Sequence, residues 1–193
     1  MRTALRIVIS FLCFLFLYLF YKKIKLPDPS RSSVNRQPST VNEKNQLLKI
    51  ALFASGAGTN AERIIHYFHQ EENRVSGRRV QVALIVCNKP GAGVLGIAAK
   101  EGVPVLLVER EAFFRGQHYL GDLEERNIGF LVLAGFLWKI PPELIRAFPG
   151  HIINIHPGLL PAYGGKGMYG KAVHNAVIDA GDKESGISIH EVD

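Results

Sequence analysis

Asn154 and His156 are the two residues whose types and spacing could do chemistry together. They sit in HIINIH, residues 151–156, where Ile152, Ile153 and Ile155 are β-branched and Pro157-Gly158 ends the run. That pattern predicts a short buried strand. Residues two apart on a strand leave the same face. An amide able to donate to an oxyanion would then stand beside an imidazole that can carry a proton near neutral pH. A polar pair hydrogen-bonded at a strand end, with no chemical role, fits the same residues.

A second cluster, SGAGTN at residues 55–60, joins an apolar run to an amphipathic one. Glycines let the backbone approach an anion, and amides at a helix N-terminus point at it. A tight turn without a ligand is the alternative. Gly56, Gly58 and Ala61 also fit the G-x-G-x-x-A dinucleotide fingerprint. That fingerprint needs an acidic residue about 20 positions on. No Asp or Glu lies between Val75 and Gly96, which argues against NAD.

To position these residues, the chain alternates apolar runs with helical patterns. Strands are expected at 47–54, 80–87, 103–108, 129–134, 151–156 and 186–192. Helices are expected at 60–70, 93–100, 116–127, 141–148 and 171–180, with Pro141-Pro142 suited to a first turn. LLKIALFA is nearly continuous in apolar residues, as in a parallel strand covered on both faces. The expected fold class is α/β, a doubly wound, mostly parallel Rossmann-like sheet. There are no repeats.

The net charge of +6 is unevenly spread. Residues 1–49 hold nine Lys and Arg against two Asp and Glu, leaving 14 against 15 for the rest. The basicity therefore gives no argument for nucleic-acid binding by the domain. Cys13 and Cys87 have neither metal-ligand spacing nor a disulfide framework, which suits a reducing compartment.

IVISFLCFLFLYLFY, residues 7–21, is uncharged and flanked by Arg2 and Arg6 before and Lys22, Lys23 and Lys25 after. A bilayer takes about 20 apolar residues, with about 17 the lower limit. Snorkelling cations bring this run to that limit. No small-residue cleavage site follows, so the expectation is an uncleaved membrane anchor. Residues 1–25 would form that hydrophobic helix, 26–46 a disordered linker, and 47–193 the catalytic domain on the cytoplasmic side. Translation from a start chosen too far upstream is the alternative origin of residues 1–48. Met1 and Met168 are the only methionines, so a shorter form would need another start codon. Nothing in the sequence sets an oligomeric state.

NIHPGLLP, residues 154–161, resembles the signature NIHPSLLP of the folate-dependent formyltransferases. AGFLWKIP, residues 134–141, resembles their AGFM-type segment, and the resemblance runs from about Lys49 to Asp193. It implies transfer of a formyl group from 10-formyltetrahydrofolate, the cosubstrate, to the amine of glycinamide ribonucleotide in de novo purine synthesis. Asn154 would donate to the oxyanion of a tetrahedral intermediate, an effect of about 3–4 kcal/mol. His156 would move the proton between amine and folate nitrogen. By the same resemblance Gly58, Thr59 and Asn60 hold the substrate phosphate. Leu137, Trp138, Lys139 and Ile140, with Asn154, contact the folate, and no metal is needed. A buried connection that only packs is the other reading of Leu137 to Ile140.

The chain departs from the family in three places. A folate-contacting Arg expected near residue 116 appears as Gly116, with Arg115 beside it. KGMYG, residues 166–170, differs from better-known versions, leaving Met168 and Tyr169 without assigned contacts. An Asp supporting the histidine is expected a few residues beyond the H-x-V segment at His190, past Asp193. The expectation is a domain lacking its C-terminal part, with weak turnover or none. Formyltetrahydrofolate hydrolase is a poorer fit because residues 1–48 are too short and polar for its regulatory domain. Methionyl-tRNA formyltransferase would need an RNA-binding domain. A membrane-tethered protein that binds folate or nucleotide without turnover is the reading from a different class.

Overall fold

The computed structural model describes residues 47–70, 74–75, 78–115 and 119–193. The predicted anchor at 7–21, the linker at 26–46 and Gly116 lie outside the described residues. Among the described residues, no helix is long and apolar enough to cross a membrane.

The apolar run LLKIALFA forms β1 (Leu47–Ala54), in which Ile50 through Ala54 are wholly buried. Such a strand needs cover on both faces, and it has it. α1 (Thr59–His69) follows, turning Ala61, Ile64, Ile65 and Phe68 inward at helical spacing. Next come β2 (Arg74–Val75), β3 (Arg78–Cys87), α2 (Gly93–Glu101) and β4 (Val105–Leu107). α3 (Arg110–Phe114), α4 (Tyr119–Glu125) and β5 (Ile128–Leu133) lead to α5 (Pro142–Ala147), whose first residue is the expected proline. β6 (Ile152–His156), α6 (Lys171–Asp179) and β7 (Ser188–Glu191) complete the described elements.

The sheet runs β2-β3-β1-β5-β6-β7, with β4 pairing the end of β3. All pairs are parallel except β2 with β3 and β6 with β7. The sheet is therefore mixed, with its antiparallel strands at the two edges. β2 and α3 were not expected, because two residues carry no period and five make little more than one helical turn. The last strand is shorter than 186–192 because its partner β6 ends at His156, opposite Ser188.

Two cores lie on opposite faces. One gathers Ile50, Leu52 and Val132 against Ile65 and Val94; the other gathers Phe53, Leu131 and Ile152 against Phe113, Leu123 and Leu144. Register shifts at Ile50/Ala51 against β3 and at Lys49/Ile50 against β5 break the simple alternation along those neighbours.

β1 has β3 on one side and β5 on the other, so the chain leaves β1 one way and β5 continues the other way. This topological switch opens a crevice beyond the carboxyl ends of β1 and β5, where open α/β sheets take their ligands.

Candidate active site

The SGAGTN loop occupies one wall of that crevice. Gly58 precedes α1 with φ of +82°, and a Cβ on it would sit 2.7 Å from Val94 Cα. Only glycine makes this turn against α2 without displacing it. Val94 N–H donates to the Gly56 carbonyl at 3.1 Å, holding the loop to α2. The first helical bond is from Glu62 N–H to the Gly58 carbonyl at 2.9 Å. The amides of Thr59, Asn60 and Ala61 precede it and carry the positive end of the helix dipole.

The opposite wall is the loop after β5. Ser55, only 4% exposed, stitches the walls together. Its N–H donates to the Gly135 carbonyl at 3.1 Å, and its Oγ accepts the Leu137 N–H at 3.1 Å. Between the walls lies a cavity of about 330 Å³, lined by Gly56 to Asn60, by Ala134, Gly135 and Leu137, and by Tyr169-Gly170.

The four residues expected on the folate side separate. Leu137 is 55% exposed and lines the cavity, and Lys139 is exposed. Trp138 is half-buried among the rings of Phe113, Phe114 and Phe136, at centroid distances of 5.5, 5.9 and 6.0 Å. Ile140 is buried in the core. Arg115, beside Gly116, ends α3 and pairs with Glu111 at 3.8 Å.

Asn154 and His156 lie on β6, adjacent to β5, with Asn154 in register with Leu133. They do not line the 330 Å³ cavity; Asn154 stands one strand from its Ala134–Leu137 wall. Asn154 is also in register with His190 on β7, and their side chains meet, Nδ2 to Nε2, at 3.1 Å. His190 Nδ1 lies 2.8 Å from the Glu191 carbonyl, which can only accept. The proton therefore sits on Nδ1, and His190 Nε2 accepts from the Asn154 amide. That bond orients the amide and leaves its second N–H and its Oδ1 for a ligand.

His156, 9% exposed, has Nε2 2.6 Å from the Tyr163 carbonyl. Nε2–H is the donor, so in the neutral ring the lone pair is on Nδ1. Tyr163 is held in turn: its hydroxyl donates to Asp182, which pushes the phenol above its usual range, with burial acting in the same direction. Gly158 stands where NIHPSLLP has serine; a Cβ would meet Val173 Cγ1 at 2.6 Å. The loop thus packs on α6 at that point. Ser188 adds a tie to β7, donating to the Gly158 carbonyl and accepting the Leu160 N–H, both at 2.9 Å.

Sequence reasoning missed three of these groups. His190 served only as a landmark in H-x-V, although a histidine two before a valine near an edge strand could have suggested a cross-strand partner. Ser55 belongs to the loop by sequence, and its stitch to Leu137, 82 residues away, leaves no local signal. Tyr169, left without contacts, faces the cavity.

The family described as formyl transferase matches residues 48–193. A chloroplastic phosphoribosylglycinamide formyltransferase of Arabidopsis thaliana is 41% identical over 151 residues, 75% of this chain and 49% of that relative. The phosphoribosylglycinamide formyltransferase of Bacillus subtilis is 36% identical over 149 residues, 75% of this chain and 71% of the relative. The solved structure of glycinamide ribonucleotide transformylase 1 from Geobacillus kaustophilus has a TM-score of 0.66 at 36% identity, covering 77% of this chain and 76% of that one. The chain spans about half the length of the plant relatives it matches, 49% and 52%. With the match extending over residues 48–193 and the switch-point crevice in place, the chain belongs to the formyl transferase family.

Proposed function

We propose that the domain transfers the formyl group of 10-formyltetrahydrofolate to the amine of glycinamide ribonucleotide. The observation that carries this reading is the switch-point crevice, where an anion loop and an apolar loop share one cavity one strand from an oriented amide. The folate supplies the activated formyl carbon. Thr59, Asn60 and the amides opening α1 suit the phosphate, while exposed Leu137 and the half-buried face of Trp138 suit a flat ring. The spare N–H of Asn154 donates to the formyl oxygen as it gains charge. His156, with Nε2 committed to the Tyr163 carbonyl, takes and returns the amine proton at Nδ1. Small molecules are the proposed partners, and attachment to a membrane through residues 7–21 is proposed from the apolar run and its cationic flanks.

Steady-state formyl transfer tests the assignment. Asn154→Ala should lower kcat by about 10²–10³-fold. His190→Ala should lower it by about tenfold with little change in KM, because it frees the amide without removing it. Wild-type turnover in Asn154→Ala would sink the assignment.

A second reading, ligand binding without turnover, rests on the His156 ring partner, which is a carbonyl and not a carboxylate. A carbonyl fixes the tautomer of the ring but brings no charge of its own to the reacting centre. Thermal protection by a folate analogue with no formyl transfer by the wild-type chain would favour it.

A further inference from the structure

The anion cavity is lined without a lysine or arginine among the described residues. Its polar side chains are Thr59 and Asn60, both from α1, and Tyr169, which comes from the loop before α6. The donors that these lining residues offer a phosphate are neutral, so each hydroxyl and amide among them matters to recognition.

Tyr169 is 56% exposed, and its hydroxyl makes no hydrogen bond to another side chain or carbonyl among the described residues. Its backbone is nevertheless fixed. Tyr169 N–H donates to the Gly167 carbonyl at 3.1 Å, and its own carbonyl accepts Ala172 N–H at 3.2 Å in the first turn of α6. Gly167 (φ +87°) and Gly170 (φ +53°) bracket it in backbone conformations that side-chain-bearing residues rarely adopt. Met168 packs inward on the cluster of Tyr163, Val173 and Val177, which turns the next side chain toward the cavity. An anchored backbone with an unengaged phenol facing an anion loop is the arrangement of a ligand contact.

We propose that the Tyr169 hydroxyl donates a hydrogen bond to the phosphate of the substrate and is a specificity residue of this cavity. The proposal rests on the formyl-transfer reading for the identity of the phosphorylated ligand. Tyr169 lines the cavity from a third segment, besides α1 and the Leu137 loop. Because it would grip the phosphate and not the reacting atoms, its contribution should appear in binding and leave the chemical step alone.

Isothermal calorimetry on the full chain tests this with glycinamide ribonucleotide as titrant and inorganic phosphate as competitor. Tyr169→Phe keeps the ring and removes only the donor. Its dissociation constant for the nucleotide should rise about tenfold, the scale of one hydrogen bond to a charged group. Inorganic phosphate should compete less well by a similar factor, and folate-analogue binding should be unchanged. Tyr169→Ala, at an exposed position, should weaken the nucleotide at least as much without changing Tm. Equal nucleotide affinity in wild type and Tyr169→Phe would overturn the role of Tyr169 while leaving the formyl-transfer reading intact. No nucleotide binding by the wild-type chain would overturn both.

Discussion

At Gly58 a single methyl group decides whether the SGAGTN loop can close on α2. A Cβ there meets Val94 Cα at 2.7 Å and Val94 Cβ at 2.8 Å, and φ is +82°, so clash and backbone strain act together. Each effect is worth about 1–3 kcal/mol, so Gly58→Ala should destabilise the domain by roughly 2–6 kcal/mol. Gly96, inside α2, is the contrast: an added Cβ finds nothing within 4 Å. Gly96→Ala should gain about 0.5–1 kcal/mol from helix propensity. Urea unfolding of the two variants measures the difference, and similar midpoints would show that the Gly58 contact does not control the loop. The same scale governs Asn154, whose amide direction depends on which nitrogen of His190 bears the proton, itself set by the Glu191 carbonyl.

Between elements, α1 and α2 are joined by a charge network over the shared core. Lys100 Nζ lies 3.3 Å from Glu62 and 3.6 Å from Glu101, and His66 lies 2.9 Å from Glu101. The bond from His66 holds the Glu101 carboxyl below its usual range, against an opposing contribution from desolvation, with Lys100 assisting. A depressed carboxyl stabilises the folded state above its unfolded value of 4.5, and that stabilisation is lost as pH falls through the lower folded value. Wild type should therefore exceed Glu101→Gln in Tm at pH 5.5, and the two should converge as acid protonates Glu101. The gap should be small because the partners of Glu101, His66 and Lys100, are exposed and screened. A Tm difference that grows toward acid pH would contradict this account of the helix pair. Ser55 works at the same scale, since one buried hydroxyl ties the carboxyl end of β1 to the loop after β5.

For the whole molecule, the organising fact is the position of β1, buried along most of its length and paired on both sides. With two cores closing over it, residues 47–193 hold enough apolar material on both faces to be proposed as a unit that folds without residues 1–46. Expressed alone, that segment should remain in the supernatant and unfold in one cooperative transition. The full chain, carrying the apolar run at 7–21, should sediment with membranes after carbonate washing. An aggregated 47–193 fragment would refute the proposed boundary. A full chain found wholly in the supernatant would refute the anchor.

The order of strands and helices was legible in the amino-acid sequence because apolar runs such as LLKIALFA and GFLVLA are of strand length and bounded by Gly-containing turns, which favours buried strands of a covered sheet. The candidate site residues are local signals too: the glycines of 55–60, the Asn154–His156 pair and the NIHPGLLP resemblance all lie within a few neighbouring residues. The edge strand β2, the short α3 and the reversed direction of β7 were settled only by folding. So were the burial of Ile140 beside the exposure of Leu137, the bond from Leu137 to Ser55, and the partnership of Asn154 with His190. These depend on which elements become neighbours and in what register. Local periodicity encodes the faces of a single element, whereas a hydrogen bond across 36 or 82 residues exists only once the sheet has brought its strands together.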